Sequence, residues 1–478
     1  MYILALEAST SSAKAMLYDP ALDTAETASE AYDPAICRDG LTDTEQVFQC
    51  VARLGRGLAA GKDVAAVALC ATWHSVTVCD GDMRPVTRTH NWNYMAPAAM
   101  CRETRENPSL ASELYMRTGC MPHVTYPREM LRWLSRNAPL EGRLLPSQGA
   151  YNFFRLTGAF RESVCTVSGG GLINLAALDY DDFALGYCGA ERGQFGKLCI
   201  YRDALPLTAE GAALLGVDAG IPVVPAHADG ALNQLGDGAA VRGRMTMSVG
   251  TSAALRLTTD RPTLPAERSL WCYRGATDYI AGAAVAGACN CINWFKDVFM
   301  RGAFSYEMLE SGAALPDEPP VFLPFLFGER CPGWRDDRLG GFAAVRPEHN
   351  VSDLYLAVQR GVLFGMYQCY ESLVAGMGAP ERISLSGGIL HSEGWTQMAA
   401  DLFGRELEIS RNANASLTGA VLLGMHAAGL VEDVAGYEFP TARGRKRVAP
   451  RAERTAALHR QYESYLEWYR RSAPEAKA

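Results

Sequence analysis

No two of the 14 cysteines stand in a C-x-x-C arrangement, and the nearest pair, Cys289 and Cys291, lies in an apolar stretch rather than a turn. Thiols scattered this way in a long chain read as small core residues of a reducing compartment, with neither a disulfide framework nor a zinc spacing. No stretch reaches the ~18–20 apolar residues needed to span a bilayer. The opening MYILALEAST also lacks the basic n-region and long apolar run of a signal peptide. A cytoplasmic protein with no membrane partner is the expectation. An excess of basic charge is missing too, since 53 Asp and Glu against 45 Lys and Arg leave a net charge of −8. That balance argues against a nucleic-acid or anionic-membrane surface spread over the whole protein, but not against a local phosphate site. The G-x-x-x-x-G-K-[ST] spacing of a Walker A loop is absent as well.

What the chain has is size and alternation. Its 478 residues, 48% hydrophobic and 21% charged, exceed what one core usually organises, so two domains of about 200 residues are expected. Short apolar runs at residues 2–6 and 13–18, split by a small polar turn, predict a β-hairpin. Residues 64–71 and 221–226 read as further strands, with helical patterns at 129–136 and 149–156 between them, which gives an α/β protein. From about residue 244 the opening theme recurs, with strands at 245–249 and 254–257 around Gly250-Thr251-Ser252-Ala253. This rough repeat predicts two related domains whose hairpin tips point at a shared cleft. A third glycine turn, Ser386-Gly387-Gly388, follows a strand at 382–385 and precedes a helix at 394–403; residues 453–470 read as a surface-packed helix.

Several of these turns carry residues suited to phosphoryl chemistry. In Glu7-Ala8-Ser9-Thr10-Ser11-Ser12-Ala13-Lys14, small residues let backbone N–H groups approach an anion, the hydroxyls and Lys14 add donors, and a carboxylate can hold Mg²⁺ through water. By itself the segment reads equally as a solvated turn with a surface lysine. Gly250, Thr251 and Ser252 repeat that chemistry, and two such hairpins suggest a nucleotide held between domains. Asp229 follows a strand and opens a helix, a position where α/β proteins gather ligands. It suits a base that takes the proton of an attacking hydroxyl, and equally a helix cap. Gly387, Gly388 and Trp395 suit adenine or ribose, or else a plain helix entry. Trp73-His74-Ser75, at the end of another strand, suits a substrate pocket or a satisfied structural histidine.

The order of these motifs resembles the FGGY family of carbohydrate kinases, which have the two-domain fold of the actin–hexokinase type. The resemblance rests on ALEASTSSAKAMLYD, HADGALNQLGDG, SVGTSAALR, FLPFLFGERCPGW and SLSGGILHSEGWTQMAADLFG, in that order, over nearly the whole chain. It implies two ribonuclease H-like domains with an interdomain cleft: residues 1–242 for the sugar and the base, 243–440 for the nucleotide, then a helical segment at 441–478. It implies that Ser9, Thr10, Ser11, Ser12, Lys14, Gly250, Thr251 and Ser252 bind the phosphates of ATP, with adenosine near Gly387, Gly388 and Trp395. Asp229 is the implied base, and Mg²⁺ would lie near Glu7 and Asp229. Within the family the chain looks most like gluconate kinases and then xylulokinases, through Trp73-His74-Ser75 and TGCMPHVTYPREMLRWL with His123. A sugar or sugar acid is therefore the expected partner, and a homodimer is an admissible assembly.

Departures from the family pattern fall mainly where the sugar is held. Glu7 replaces the usual aspartate, lengthening the carboxylate by one methylene. Trp92 and Tyr94 in His90-Asn91-Trp92-Asn93-Tyr94 replace the aspartate and arginine of a common sugar-binding segment, so Trp92 is expected to reshape the pocket. Met130 stands where lysine is common, and Arg360 and Asn414 stand near usual glutamates. A catalytically weak or inactive nucleotide- or sugar-binding pseudokinase keeps the same fold. Asp229, Lys14 and both small-residue turns count against it, Glu7 and Trp92 slightly for it.

Overall fold

The computed structural model describes residues 1–311, 319–440 and 444–472; residues 441–443 and 473–478 of the expected C-terminal segment lie outside the described residues. The first hairpin joins β1 (Tyr2–Ala8) to β2 (Ser12–Asp19), with Glu7 opposite Lys14 and Ala8 opposite Ala13. With β3 (Thr24–Ala31), β4 (Val64–Ala71), β5 (Leu205–Pro206) and β6 (Pro222–Ala228) it forms a six-stranded sheet in the order β5-β6-β4-β1-β2-β3. The recurring hairpin, β7 (Arg244–Val249) and β8 (Ala253–Thr259), nucleates a second sheet. That sheet adds β9 (Trp271–Arg274), β10 (Tyr279–Val285), β11 (Arg382–Ser386), β12 (Leu407–Ile409) and β13 (Arg447–Val448), in the order β9-β10-β8-β7-β11-β12-β13. In each sheet the first hairpin strand pairs in parallel with a later strand, β4 beside β1 and β11 beside β7. The duplication visible in the sequence is thus a duplication of topology.

Strand β1 is buried on both faces because its residues alternate between two helices. Leu4 and Leu6 pack with Val47, Phe48 and Val51 of α1 (Thr44–Ala59), whose start is capped by Asp43 accepting the Gln46 N–H at 3.0 Å. Ile3 and Ala5, with Ala66 and Ala68 of β4, pack with Leu417 and Val421 of α7 (Ala415–Ala427). Two helices expected from the sequence, α2 (Pro127–Asn137) and α3 (Gln148–Thr157), are present with ends extended by one or two residues. A long buried helix, α5 (Val351–Met377), α6 (Glu393–Phe403) and α8 (Ala452–Arg471) belong to the second half. Its apolar residues face inward nearly all round, so α5 lacks the one-sided stripe that marks an amphipathic helix. Among the described residues no helix is long and apolar enough to cross a membrane.

One helix crossing fixes the position of α4 (Asp229–Gly236), the helix that begins on the expected base. Helix α7 comes late in the chain yet lies against the first sheet and against α4. The approach is close enough that a Cβ on Gly236 would stand 2.0 Å from the Ala415 carbonyl oxygen, and one on Gly419 2.1 Å from that of Leu232. Only hydrogen fits at either position. Gly419→Ala should therefore lower stability by about 1–3 kcal/mol through overpacking, read as a lower Tm by calorimetry. An unchanged Tm would mean that the two helices can part without loss.

Candidate active site

Three parallel strands end in one row. Ala8 of β1 pairs with Ala71 of β4, and Ala71 with Ala228 of β6. The residues that follow, Ser9, Thr72-Trp73-His74 and Asp229, emerge side by side from the same edge of the sheet, where α/β proteins place ligands. Asp229 is the first residue of α4. Ala228 occupies the capping position and no side chain caps the helix, so the cap role that the sequence left open is not the one adopted. One Asp229 oxygen, Oδ1, accepts the Gly230 N–H at 2.8 Å. Burial and then the neighbouring Glu7 charge raise its pKa to about 6, against the opposing pull of the Gly230 N–H and Arg256.

Glu7 is 2% exposed and fully engaged. Its Oε1 accepts from the Ser9 hydroxyl and from Lys14 Nζ at 3.0 Å, and its Oε2 from the Ser416 hydroxyl of α7 at 2.6 Å. Burial opposes the charge on Lys14, but the Glu7 carboxylate outweighs it and the lysine pKa is raised. Among the described residues no three His, Cys, Asp or Glu form a group able to hold a metal. Two carboxylates, one already bonded to a lysine, instead suit a Mg²⁺ ion that draws most of its ligands from water and substrate phosphates.

The second hairpin approaches from the other sheet. Its tip is braced by the Cys289 N–H donating to the Gly250 carbonyl (2.9 Å) and the Asn290 N–H to that of Thr251 (3.2 Å). Gly387, at φ 99°, sits beside this hairpin, where a Cβ would lie 2.4 Å from the Val249 oxygen, so only glycine is accommodated. Gly388 lies against Cys289. Both hairpin tips and the end of β6 meet around a cavity of about 270 Å³, to which Thr10, Ser252 and Asp229 all contribute.

Aromatic rings wall this cavity. Trp73, Trp92, Trp271 and Tyr273 line it, with Trp271 stacked on Tyr273 at 4.3 Å and Trp73 edge-on to Tyr273 at 4.8 Å. Trp73 is locked by its indole N–H to the Cys165 carbonyl (2.9 Å), and Trp92 donates to the Thr10 hydroxyl (2.9 Å), tethering the hairpin tip. His74 also lines the cavity. Its Nδ1 lies 2.7 Å from the Gly169 carbonyl, which can only accept, so Nδ1 carries the proton. Burial, then the Arg330 charge, lowers its pKa to about 3, leaving the ring neutral.

Two guanidiniums complete the lining, Arg256 of β8 and Arg330. Arg256 Nη1 donates to the Ser248 hydroxyl at 3.3 Å, while the Nε atoms of both arginines are buried without a partner among the described residues. Neither was singled out from the sequence, although Arg256 ends one motif quoted above and Arg330 stands inside another. Ala254 and Arg256 lie two apart on β8, in step with Ser252 of the turn before it, so alternation from that turn was the available signal for Arg256. The same spacing links Trp271 and Tyr273. Arg330 comes from a loop and carries no such signal.

Three expected site residues lie away from this cavity. Trp395 is 3% exposed in the core and its indole N–H donates to the Gln359 carbonyl at 3.1 Å. The Ser75 hydroxyl accepts the Gln148 N–H (3.2 Å) away from the cavity lining. His123 is buried edge-on to Trp334, with Nδ1 2.9 Å from the Thr125 hydroxyl, and does not line the cavity either. Tyr94 packs instead between His90 and Trp133. Thr251 and Ser11 are exposed at the hairpin tips, and Ser12 begins β2.

Comparison with known proteins agrees with this geometry. Family models described as the N- and C-terminal domains of the FGGY family of carbohydrate kinases match residues 2–236 and 245–428. A gluconokinase of Bacillus subtilis (strain 168) is 27% identical over 459 residues, covering 90% of this chain and 88% of the relative. A xylulose kinase of Escherichia coli (strain K12) is 25% identical over 456 residues, covering 90% of each. The crystal structure of a gluconate kinase from Lactobacillus acidophilus superposes with a TM-score of 0.91 at 23% identity, over 99% of this chain and 98% of that one.

Since the folded-state pKa of Asp229 lies near 6 rather than the ordinary 3.8, the native state holds this proton more tightly than the unfolded chain does. Stability is then lost as pH rises from about 4 to about 6, and the loss persists above that. Asp229→Asn should raise Tm at pH 7.5, with the gain shrinking toward zero near pH 4. A gain equal at both pH values would show that Asp229 ionisation is not its cause.

Proposed function

The chain belongs to the FGGY family of carbohydrate kinases, and on that premise we propose that it transfers the γ-phosphoryl group of ATP to a hydroxyl of a small, gluconate-like sugar acid bound beside Asp229. The observation that carries the choice of an acid is the pair Arg256 and Arg330 in the cavity that holds the base. A neutral ketose would bring no charge to these two half-buried guanidiniums, whose Nε atoms have no partner among the described residues, whereas a carboxylate gives them a charge-assisted acceptor. The volume of about 270 Å³ is below that of drug-sized pockets and suits a short open chain. The rings of Trp73, Trp92 and Tyr273 offer apolar faces to its C–H groups.

In this reading Asp229 accepts the proton of the attacking hydroxyl. Its pKa near 6 leaves it ionised at neutral pH while keeping it a competent acceptor. The acceptor oxygen and the γ-phosphorus are brought in line by the two hairpins, with Ser9 to Ser12 and Lys14 on one side and Gly250 to Ser252 on the other. Gly387 and Gly388 serve the nucleoside end. Lys14, held against Glu7, supplies positive charge close to the phosphates. Mg²⁺ near Glu7 and Asp229 would neutralise phosphate charge when it enters with ATP. Neutral His74 offers Nε2 as an acceptor for a substrate hydroxyl. A working base and both phosphate turns together favour turnover over an inactive binder. The division into a sugar-binding part, residues 1–242, and a nucleotide-binding part, residues 243–440, follows from the same reading.

Two measurements test it. Asp229→Asn should lower kcat by about 10²–10⁴-fold with the Kd for ATP unchanged; retained turnover would remove Asp229 as base. Arg256→Met should raise KM for gluconate by roughly 10–100-fold, the worth of a charged hydrogen bond, and leave KM for xylulose nearly unaltered. Equal losses with both substrates would assign Arg256 to the phosphoryl group rather than to a carboxylate.

A further inference from the structure

A larger cavity, about 700 Å³, opens where α5, α6 and α8 meet and shares no lining residue with the cavity at Asp229. It is lined by Arg360, which is 2% exposed and whose Nε, Nη1 and Nη2 all lack a hydrogen-bond partner among the described residues. Burial lowers its pKa only to about 10, with the Asp353 charge opposing, so the group stays charged at neutral pH. Asp353 itself accepts the Asn350 N–H at 2.9 Å as part of the cap of α5. A buried guanidinium with five idle donors is among the costliest groups a fold can carry, and an oxyanion is the partner that matches its fork.

The rest of the cavity fits the same class of ligand. Exposed Arg454 and Arg460 of α8 add positive charge. The remaining acid in the lining, Asp401, is already bound by Arg451 through Nε and Nη2 at 3.1 and 2.6 Å. Gln461 Oε1 is a second buried polar atom without a partner. Phe364, Met398 and Leu458 supply an apolar wall beside these groups.

We propose that this cavity binds a phosphorylated small metabolite, its phosphate seated on Arg360 and its carbon body against Phe364, Met398 and Leu458. The space is more than a bare anion needs, and positive charge continues from the buried Arg360 to the exposed Arg454 and Arg460. The ligand is thus a sugar-phosphate-sized molecule rather than free phosphate.

Thermal unfolding of the full chain tests this with glucose 6-phosphate, ribose 5-phosphate and inorganic phosphate as probes. A sugar phosphate should raise Tm saturably, as a ligand of the native state does, and inorganic phosphate should do so less. Arg360→Met should show a higher Tm than the parent without any probe, because a buried unpaired charge is gone, and should lose the probe-dependent rise. The double variant Arg454→Ala, Arg460→Ala, at exposed positions, should weaken the apparent affinity for the sugar phosphates about tenfold or more. No saturable rise with any probe would overturn the proposal. So would an equal rise in the parent and Arg360→Met, since that is a general salt effect. Inorganic phosphate matching the sugar phosphates would reduce the cavity to a free-phosphate site. Competition between a sugar phosphate and ATP that persists in Arg360→Met would assign the effect to the nucleotide site instead.

Discussion

Two carboxylates held at one edge of one sheet are the constraint around which the site is built. Glu7, near the end of β1, and Asp229, which follows β6, are separated only by β4, and the Glu7 charge bears on Asp229. Placing two acids this close in a partly dry environment is unfavourable unless one is paired and the other weakened. Both happen. Lys14, Ser9 and Ser416 saturate Glu7, while Asp229 takes the penalty as a raised pKa. The arrangement explains why a lysine stands directly opposite Glu7 in the hairpin, and why α7 must bring a hydroxyl across from the far end of the chain.

Around this acidic pair the cavity divides its tasks by residue type. Charge of opposite sign enters from the second sheet through Arg256 and from a loop through Arg330, whereas shape comes from tryptophan and tyrosine rings locked by hydrogen bonds of their own. The ring cluster also fastens the two halves together. Tyr126 and Tyr273 share a hydrogen bond at 2.8 Å, and Trp73 of the first half packs on Trp271 and Tyr273 of the second. The residues that shape the cavity are therefore also residues of the seam, so a change of substrate shape by mutation acts on domain contact as well.

The fold was legible wherever local pattern and local structure coincide. Both hairpins, the strand Val64–Ala71 and the helix entry at Ser392, which caps α6 by accepting the Trp395 N–H (3.1 Å), follow from runs and turn residues a few positions apart. Asp229 was legible for the same reason, since a strand, an aspartate and a helix are adjacent in sequence. Less legible was whatever depends on side-chain direction or distant partners. Trp395 and His123 sit in suitable motifs but point into the core. Arg256 and Trp271 reach the cavity by strand alternation across a sheet whose pairing no local window contains. Helix α7, nearly featureless in its apolar residues, gave no hint that it would leave the second half and cover the first sheet.

That excursion of α7 bears on how the polypeptide is made. The face formed by Ile3, Ala5, Ala66 and Ala68 has its cover in residues 415–427, so during synthesis the first half emerges long before the segment that seals it. Its sheet must wait with an apolar flank unsheltered until residues 415–427 have left the ribosome. Completion of the first sheet is then coupled in time to the appearance of α7, whose Ser416 gives Glu7 its last hydrogen bond.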